Sequence, residues 1–275
     1  MFKYCDSLVN QFEKVIEHPI IQKSSVYYTG IDLGTACVVM AVLNENYEPV
    51  AGVYKYADVV RDGMVVDYLG AIKIVREMKE KIEKKLGTKL VYAAAALPPG
   101  MEDLDGGAVR NIVEAADFEV TAMLDEPTAA NKLLKLSDGA IVDIGGGTTG
   151  ISVFKNGQVE MIDDEPTGGT HFSLVLAGSY QMKYEEAEEY KRNFSHHKEI
   201  YPVVKPVMEK LAVIITDMLK DHPVERLVLV GGSSCFTGIE KTIEELTGIS
   251  TYKPNNPLFV TPLGIALSCK GDVCL

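Results

Sequence analysis

The chain predicts an α/β protein built from two similar βββαβα half-domains that face each other across a cleft. Three observations carry this expectation. Strands alternate with helices along the whole length, each half begins with a three-strand meander, and each meander is led by an aspartate-aliphatic-glycine turn. Two meanders of one plan read as a duplicated unit; two unrelated glycine-turn hairpins are the alternative.

Residues 1–25 form an N-terminal extension. Asp6 or Ser7 caps a helix carrying Leu8, Val9, Phe12, Val15 and Ile16 along one side, and His18-Pro19 ends it. Packing against the neighbouring domain and docking into a partner's groove both fit such a helix. The first half-domain spans 26–136. A strand at 27–31 runs into Asp32-Leu33-Gly34-Thr35, a second covers 37–43, and after the turn Asn44-Glu45-Asn46 a third covers 50–56. A helix follows at 71–86, with Ile72, Val75, Met78, Ile82 and Leu86 on its apolar side and Glu77/Lys81 and Glu80/Lys84 on its solvated side. The apolar strand 90–97 stops at Pro98-Pro99-Gly100, and a helix at 108–116, a strand at 120–124 and a helix at 128–136 complete this half.

The second half-domain, 137–261, repeats the plan. Its strand 140–142 enters Asp143-Ile144-Gly145-Gly146-Gly147-Thr148-Thr149; strands at 151–155 and 159–162 flank Asn156-Gly157, a pair that favours a tight hairpin. Helices are expected at 173–180, 184–191, 203–219 and 238–246, with a buried strand at 226–230 meeting Gly231-Gly232. A last helix within 262–269 returns to the first half.

Composition bounds the function. Hydrophobic residues are 47% and charged residues 24% of 275 positions, as in ordinary globular proteins. Twenty-seven basic against 39 acidic side chains leave a net charge of −12, a field that repels nucleic acid and anionic lipid. No apolar run approaches the ~20 residues of a membrane span, and the N-terminus lacks the basic and apolar blocks of a signal peptide. The cysteines Cys5, Cys37, Cys235, Cys269 and Cys274 form no Cys-x-x-Cys pair. Cys269 and Cys274 read as unpaired thiols rather than half a metal site, and His196-His197 as part of a polar, solvated stretch. A reduced, cytoplasmic protein is expected.

The turns suit a phosphate chain. Backbone amides in a tight turn donate to phosphate if no side chain blocks the approach, which Gly34 and Gly145, Gly146 and Gly147 allow; Thr35, Thr148 and Thr149 add hydroxyls. Asp32 and Asp143, at the ends of their strands, become an asset beside a polyphosphate once Mg²⁺ lies between them, often through water. The same pair can polarise an attacking water. Gly168-Gly169 and Gly231-Gly232 each precede a helix, whose first amides favour anions. Singly, each of these is an ordinary turn; their joint order is the signal.

That order resembles the actin, sugar-kinase and DnaK-type ATPase superfamily across residues 27–268. Asp32 to Thr35 and Asp143 to Thr149 are similar to its two phosphate loops. Asp125-Glu126-Pro127-Thr128-Ala129-Ala130 and Thr261-Pro262-Leu263-Gly264-Ile265-Ala266 resemble its two connecting helices, and Leu229-Val230-Gly231-Gly232-Ser233-Ser234 its adenosine loop. The resemblance implies an actin-like (ribonuclease H-like) fold, ATP or ADP with Mg²⁺ as cofactors, and a candidate catalytic set of Asp32, Glu126 and Asp143. It also matches Glu188, Lys191 and Arg192 to a helix that embraces adenosine, although the same residues fit a surface helix with an i,i+3 pair.

Ala57-Asp58-Val59-Val60-Arg61-Asp62-Gly63, the Pro98-Pro99-Gly100 strand end and Val203-Val204-Lys205-Pro206-Val207 are similar to the EutJ ethanolamine-utilisation family. That family implies a chaperone-like protein of a bacterial microcompartment, partnered by an ethanolamine-degrading enzyme or shell protein. The sequence departs from the chaperones at Ala36-Cys37, where a second hydroxyl is usual, and at Gly150, where an acid is usual. It offers only Lys55 and Arg61 as counterparts of their catalytic lysine, so binding is expected to outweigh fast hydrolysis. A nucleotide-switched scaffold or filament-forming protein is the alternative; a small-molecule kinase ranks last, since little spare length remains for an acceptor site.

Overall fold

The computed structural model describes residues 2–21, 23–61, 63–99 and 106–270. Asp62, Gly100 and Cys274, used above, lie outside the described residues.

The elements run α1 (Lys3–Glu17), β1 (Tyr28–Leu33), β2 (Cys37–Leu43), β3 (Pro49–Tyr56), β4 (Val60–Arg61), β5 (Met64–Val65), α2 (Tyr68–Leu86), β6 (Tyr92–Leu97), α3 (Gly106–Ala115), β7 (Glu119–Asp125) and α4 (Glu126–Leu134). The second run is β8 (Gly139–Ile144), β9 (Thr149–Lys155), β10 (Gln158–Glu165), α5 (Gly169–Tyr180), α6 (Tyr184–Arg192), α7 (His197–Met218), β11 (Arg226–Val230), α8 (Ile239–Thr247), β12 (Ser250–Tyr252) and α9 (Val260–Ser268). One five-stranded sheet has the order β3-β2-β1-β6-β7 and the other β10-β9-β8-β11-β12. In both, the meander is antiparallel and the last two strands join parallel to the first, the crossovers being helical.

Strand alternation divides the apolar side chains among three cores. Along β2, Val38, Met40 and Val42 face α2 and α3, whereas Cys37, Val39, Ala41 and Leu43 face the molecular centre. The third core lies between the second sheet and α5–α8. The central core draws on both sheets and on α1, α4 and α9, so the halves share one interior. Its packing is close: a Cβ on Gly30 would lie 2.4 Å from the Pro262 carbonyl oxygen, and one on Gly264 would lie 1.9 Å from that of Ala129. These two glycines let α9 lie directly on β1 and α4.

Several boundaries differ from expectation. Helix α1 starts a turn before Asp6, with Phe2 at its N-cap and no side-chain cap; Asp6 donates its amide to the Phe2 carbonyl (2.7 Å) and uses its carboxylate elsewhere. Phe12 is fully buried against β3, so this helix is part of the core. Helix α7 starts at His197 rather than 203 and runs through Pro202 and Pro206. Proline disfavours helix interiors, but the early turns are anchored by buried His197, Ile200 and Val204. The β4–β5 ribbon and β12 are two and three residues long, too short to produce a periodic signal.

Candidate functional site

Each turn sits where its leading strand ends beside the opposite half. A Cβ on Gly146 would lie 2.9 Å from that of Ala36 and 3.4 Å from that of Thr35, so the two glycine turns meet face to face. Between them is a cavity of about 70 Å³, lined from both halves by Asp32, Gly34, Thr35, Glu126, Asp143, Gly145, Gly146, Gly147, Thr148, Gly231 and Gly232. That volume holds a few waters.

Asp143 is held in place. Thr261, at the start of α9, donates its hydroxyl to Asp143 Oδ2 at 2.6 Å, and Gly231, at φ +86, leaves no room for a side chain beside Oδ1. Glu126 is placed by the N-terminus of α4, where the Asp125 side chain accepts from the Thr128 amide (2.8 Å) and Pro127 fits the first turn. The cavity concentrates negative charge. Burial, then the neighbouring Asp143, pushes Asp32 up to about 7. Burial pushes Asp143 up to about 6 against the opposing Thr261 hydrogen bond. Glu126 is raised well above the carboxylate range by burial and by Asp143, Asp32, Asp164 and Asp125.

Asp164, on β10, was not among the sequence candidates. It pairs in register with Gly150, and burial pushes it up to about 6 while the Thr148 hydroxyl opposes the shift. A Cβ on Gly150 would lie 3.4 Å from Asp164 Oδ1, so the facing strand brings an acid beside position 150. The only signal for it in the sequence is the acidic run Asp163-Asp164-Glu165 at a strand end.

A second cavity, of about 370 Å³, adjoins the first through Ala36, Cys37, Gly146 and Gly232. Ser233, Glu188, Lys191 and Arg192 line it, together with Tyr56, Phe172, Phe236 and Phe259. Its size and partly aromatic wall suit a nucleoside-sized ligand. Lys191 and Glu188 form a 2.7 Å ion pair in this wall, with only 11% and 15% of their side chains exposed, rather than a solvated surface pair. Glu188 also accepts from the Ser173 hydroxyl. The Arg192 guanidinium lies 3.7 Å over the Tyr56 ring and so joins α6 to the opposite half. His197, read as solvated, is instead buried: its ring stacks on Phe236 at 4.1 Å and its Nε2 is 2.9 Å from the Lys191 carbonyl. Burial lowers its pKa.

Other sequence candidates serve the loop itself. The Thr149 hydroxyl is buried and donates to the Thr167 carbonyl at 2.6 Å. The Gly169 and Thr170 amides donate to the Gly145 and Gly146 carbonyls at 2.9 and 2.7 Å, so the start of α5 braces the triple-glycine turn. A Cβ on Gly168 would lie 2.8 Å from both of those carbonyl oxygens. Lys55 pairs with Glu77 at 3.0 Å, Arg61 lies 3.6 Å from Asp58, and neither lines either of these two cavities. No lysine or arginine among the described residues lines the smaller cavity. Among the described residues, too, no three His, Cys, Asp or Glu side chains converge to hold a metal unaided.

Two sheets of one order, two connecting helices and opposed acidic-led glycine turns define the actin-like ATPase fold. Residues 111–258 match the family model of the type IV pilus assembly protein PilM. Ethanolamine utilization protein EutJ of Salmonella typhimurium is 45% identical over 88% of this chain and 85% of its own length. The crystal structure of EutJ from Carboxydothermus hydrogenoformans superimposes with a TM-score of 0.91 at 45% identity, covering 96% of this chain and 97% of that one. MreB5 of Spiroplasma citri, solved bound to AMPPNP, shares the fold at a TM-score of 0.71 and 17% identity over 88% and 95% of the two chains. The chain belongs to the EutJ family of ethanolamine-utilisation proteins. No helix among the described residues is long and apolar enough to cross a membrane.

Proposed function

We propose that this protein is an ATP-binding, chaperone-like factor of ethanolamine utilisation whose cleft opens and closes on Mg-ATP, with slow hydrolysis, to act on a partner enzyme or microcompartment component. The observation that carries the reading is the direct apposition of the Gly146 and Ala36 turns at a cavity lined by Asp32, Glu126 and Asp143, with a nucleoside-sized cavity alongside.

The amides of Gly34, Gly146 and Gly147, with the Thr35 and Thr148 hydroxyls, bind the phosphates, while the Gly145 amide is taken by the Thr148 carbonyl at 3.0 Å and closes the turn. Ser233 and the Glu188–Lys191 pair border the nucleoside. Carboxylates whose ionisation is opposed by burial and by one another fit a hard dication, and Asp32 and Asp143 would hold it with phosphate and water as further ligands. The ion supplies charge neutralisation for the polyphosphate when bound. Glu126, which lines the same cavity, would orient a water near the terminal phosphate. The 70 Å³ between the turns is too small for a triphosphate, so entry parts the halves and binding couples to their separation. The lack of a lysine facing this cavity among the described residues favours slow turnover.

Calorimetry with ATP and ADP, with and without Mg²⁺, tests this on the wild type and on Asp143→Ala. Magnesium-dependent binding that weakens at least tenfold in the variant is expected. A wild type that binds neither nucleotide, or a variant that binds equally well with magnesium, overturns the assignment.

A further inference from the structure

Helix α1 packs its apolar side on β3 and on Phe259, and its polar side touches the loop before Phe259. Phe12 fills the space over Gly52 of β3 and meets Phe259 edge-on at 5.1 Å. Two turns apart on the polar side, Asp6 accepts from the Asn255 amide at 2.8 Å and Glu13 accepts from the Asn256 side-chain amide at 2.5 Å. The loop holding those asparagines is tied to the second half. Lys253 donates to the Ser234 and Phe236 carbonyls at 3.2 and 2.9 Å, and Gly231 donates its amide to the Pro257 carbonyl at 3.2 Å. Glu13, Ile16 and Glu17 also line the 370 Å³ cavity, which Ser233 and Lys191 line as well.

Resting on the nucleotide reading above, we infer that α1 is a strap across the mouth of the nucleoside cavity, and that its two contacts with Asn255 and Asn256 gate nucleotide release. The energetics suit a gate. Both hydrogen bonds are solvent-exposed, so each contributes little and breaks readily, while Phe12 stays seated over Gly52 of β3. The contacts also lie close to the phosphate site. Asn256 takes the left-handed conformation (φ +36) immediately before the short turn that leads into α9, and α9 supplies the Thr261 donor to Asp143. A shift of the loop when the strap releases therefore moves the residue that holds Asp143.

The test uses the full chain and the fluorescent ADP analogue mant-ADP. Stopped-flow displacement by excess ADP should show release accelerated about tenfold in the double variant Asp6→Ala/Glu13→Ala, equivalent to ~1.4 kcal/mol over two contacts, with the thermal unfolding midpoint within a degree or two of wild type. Glu17→Trp, which projects a large ring into the cavity mouth, should weaken ADP binding by calorimetry at least fivefold at an unchanged midpoint. If the wild type binds ADP but the double variant releases mant-ADP at the wild-type rate, the strap is wrong and the nucleotide site stands. If the wild type binds no ADP, the nucleotide reading fails and takes this inference with it.

Discussion

The outer strands of the two meanders, β3 and β10, occupy the same place in sheets of identical order, yet one is covered and the other bare. The first five residues of β3 are buried, from Pro49 to Val53, whereas β10 has no buried position. The cause is α1, which has no counterpart in the second half and whose Phe12 sits on Gly52. Strand β10 instead carries Glu160, Asp163 and Glu165, charges that discourage edge-to-edge pairing. The two halves thus share one backbone plan, and α1 gives the first half a buried anchor beside the cleft. The second half kept an acidic face and turned one of its acids, Asp164, toward the phosphate turns.

Removing the anchor is the severest test of that difference. Phe12→Ala deletes a fully buried ring and should cost about 3–5 kcal/mol in urea unfolding. Val159→Ala on β10, where the side chain is 41% exposed, should stay within ~0.5 kcal/mol. Comparable losses would mean that the bare strand carries structure not apparent from its burial.

The leading aspartates differ as well, and pH exposes it. Asp143 keeps the Thr261 hydroxyl as a donor, while burial and the Asp143 charge act together on Asp32. An acid whose folded pKa exceeds its unfolded value holds its proton in the folded state after the unfolded chain has lost it. Stability therefore falls as pH rises from the ordinary value of 3.8 toward about 7 for Asp32 and about 6 for Asp143. In the nucleotide-free protein the unfolding midpoint should drop by several degrees between pH 5 and pH 8. Asp32→Asn should flatten that slope more than Asp143→Asn does, and equal slopes in both would deny the asymmetry.

The duplicated plan was legible because each meander has period-two apolar patterning closed by a glycine turn, signals that act over a few residues. Strand 226–230 matches β11 in full for the same reason, being a continuous apolar run. What the chain hides are pairings between distant residues. Asp164 becomes a site residue only because β10 registers it against Gly150, and Thr261 only because the start of α9 meets Asp143 on β8. His197 sits in a polar stretch, but α7 carries it under Phe236. The start of α1 escaped for a different reason: Asp6 has the chemistry of a cap and uses it on Asn255, across the molecule.

The smallest effect concerns how firmly the halves hold each other. Arg192 over Tyr56 is a link across the cleft between a half-exposed ring on β3 and α6, of a kind worth ~0.5–1 kcal/mol. Lys155 and Glu160, 3.9 Å apart within the second half, form a surface pair of similar or lesser strength. Neither Tyr56→Leu nor Glu160→Gln should shift global unfolding by more than ~1 kcal/mol, because both contacts are exposed. They should differ in cleft opening. Cys235 lines the larger cavity on the second half, and burial pushes its thiol up to about 11, so it reacts slowly while the cleft is shut. Losing the cross-cleft link raises the open population by the Boltzmann factor of its energy. Cys235 labelling, followed peptide by peptide in a mass spectrometer, should therefore speed up roughly two- to fivefold in Tyr56→Leu and not at all in Glu160→Gln. Equal rates in both variants would show that the cleft opens without parting Arg192 from Tyr56, and would place the hinge axis close to that pair.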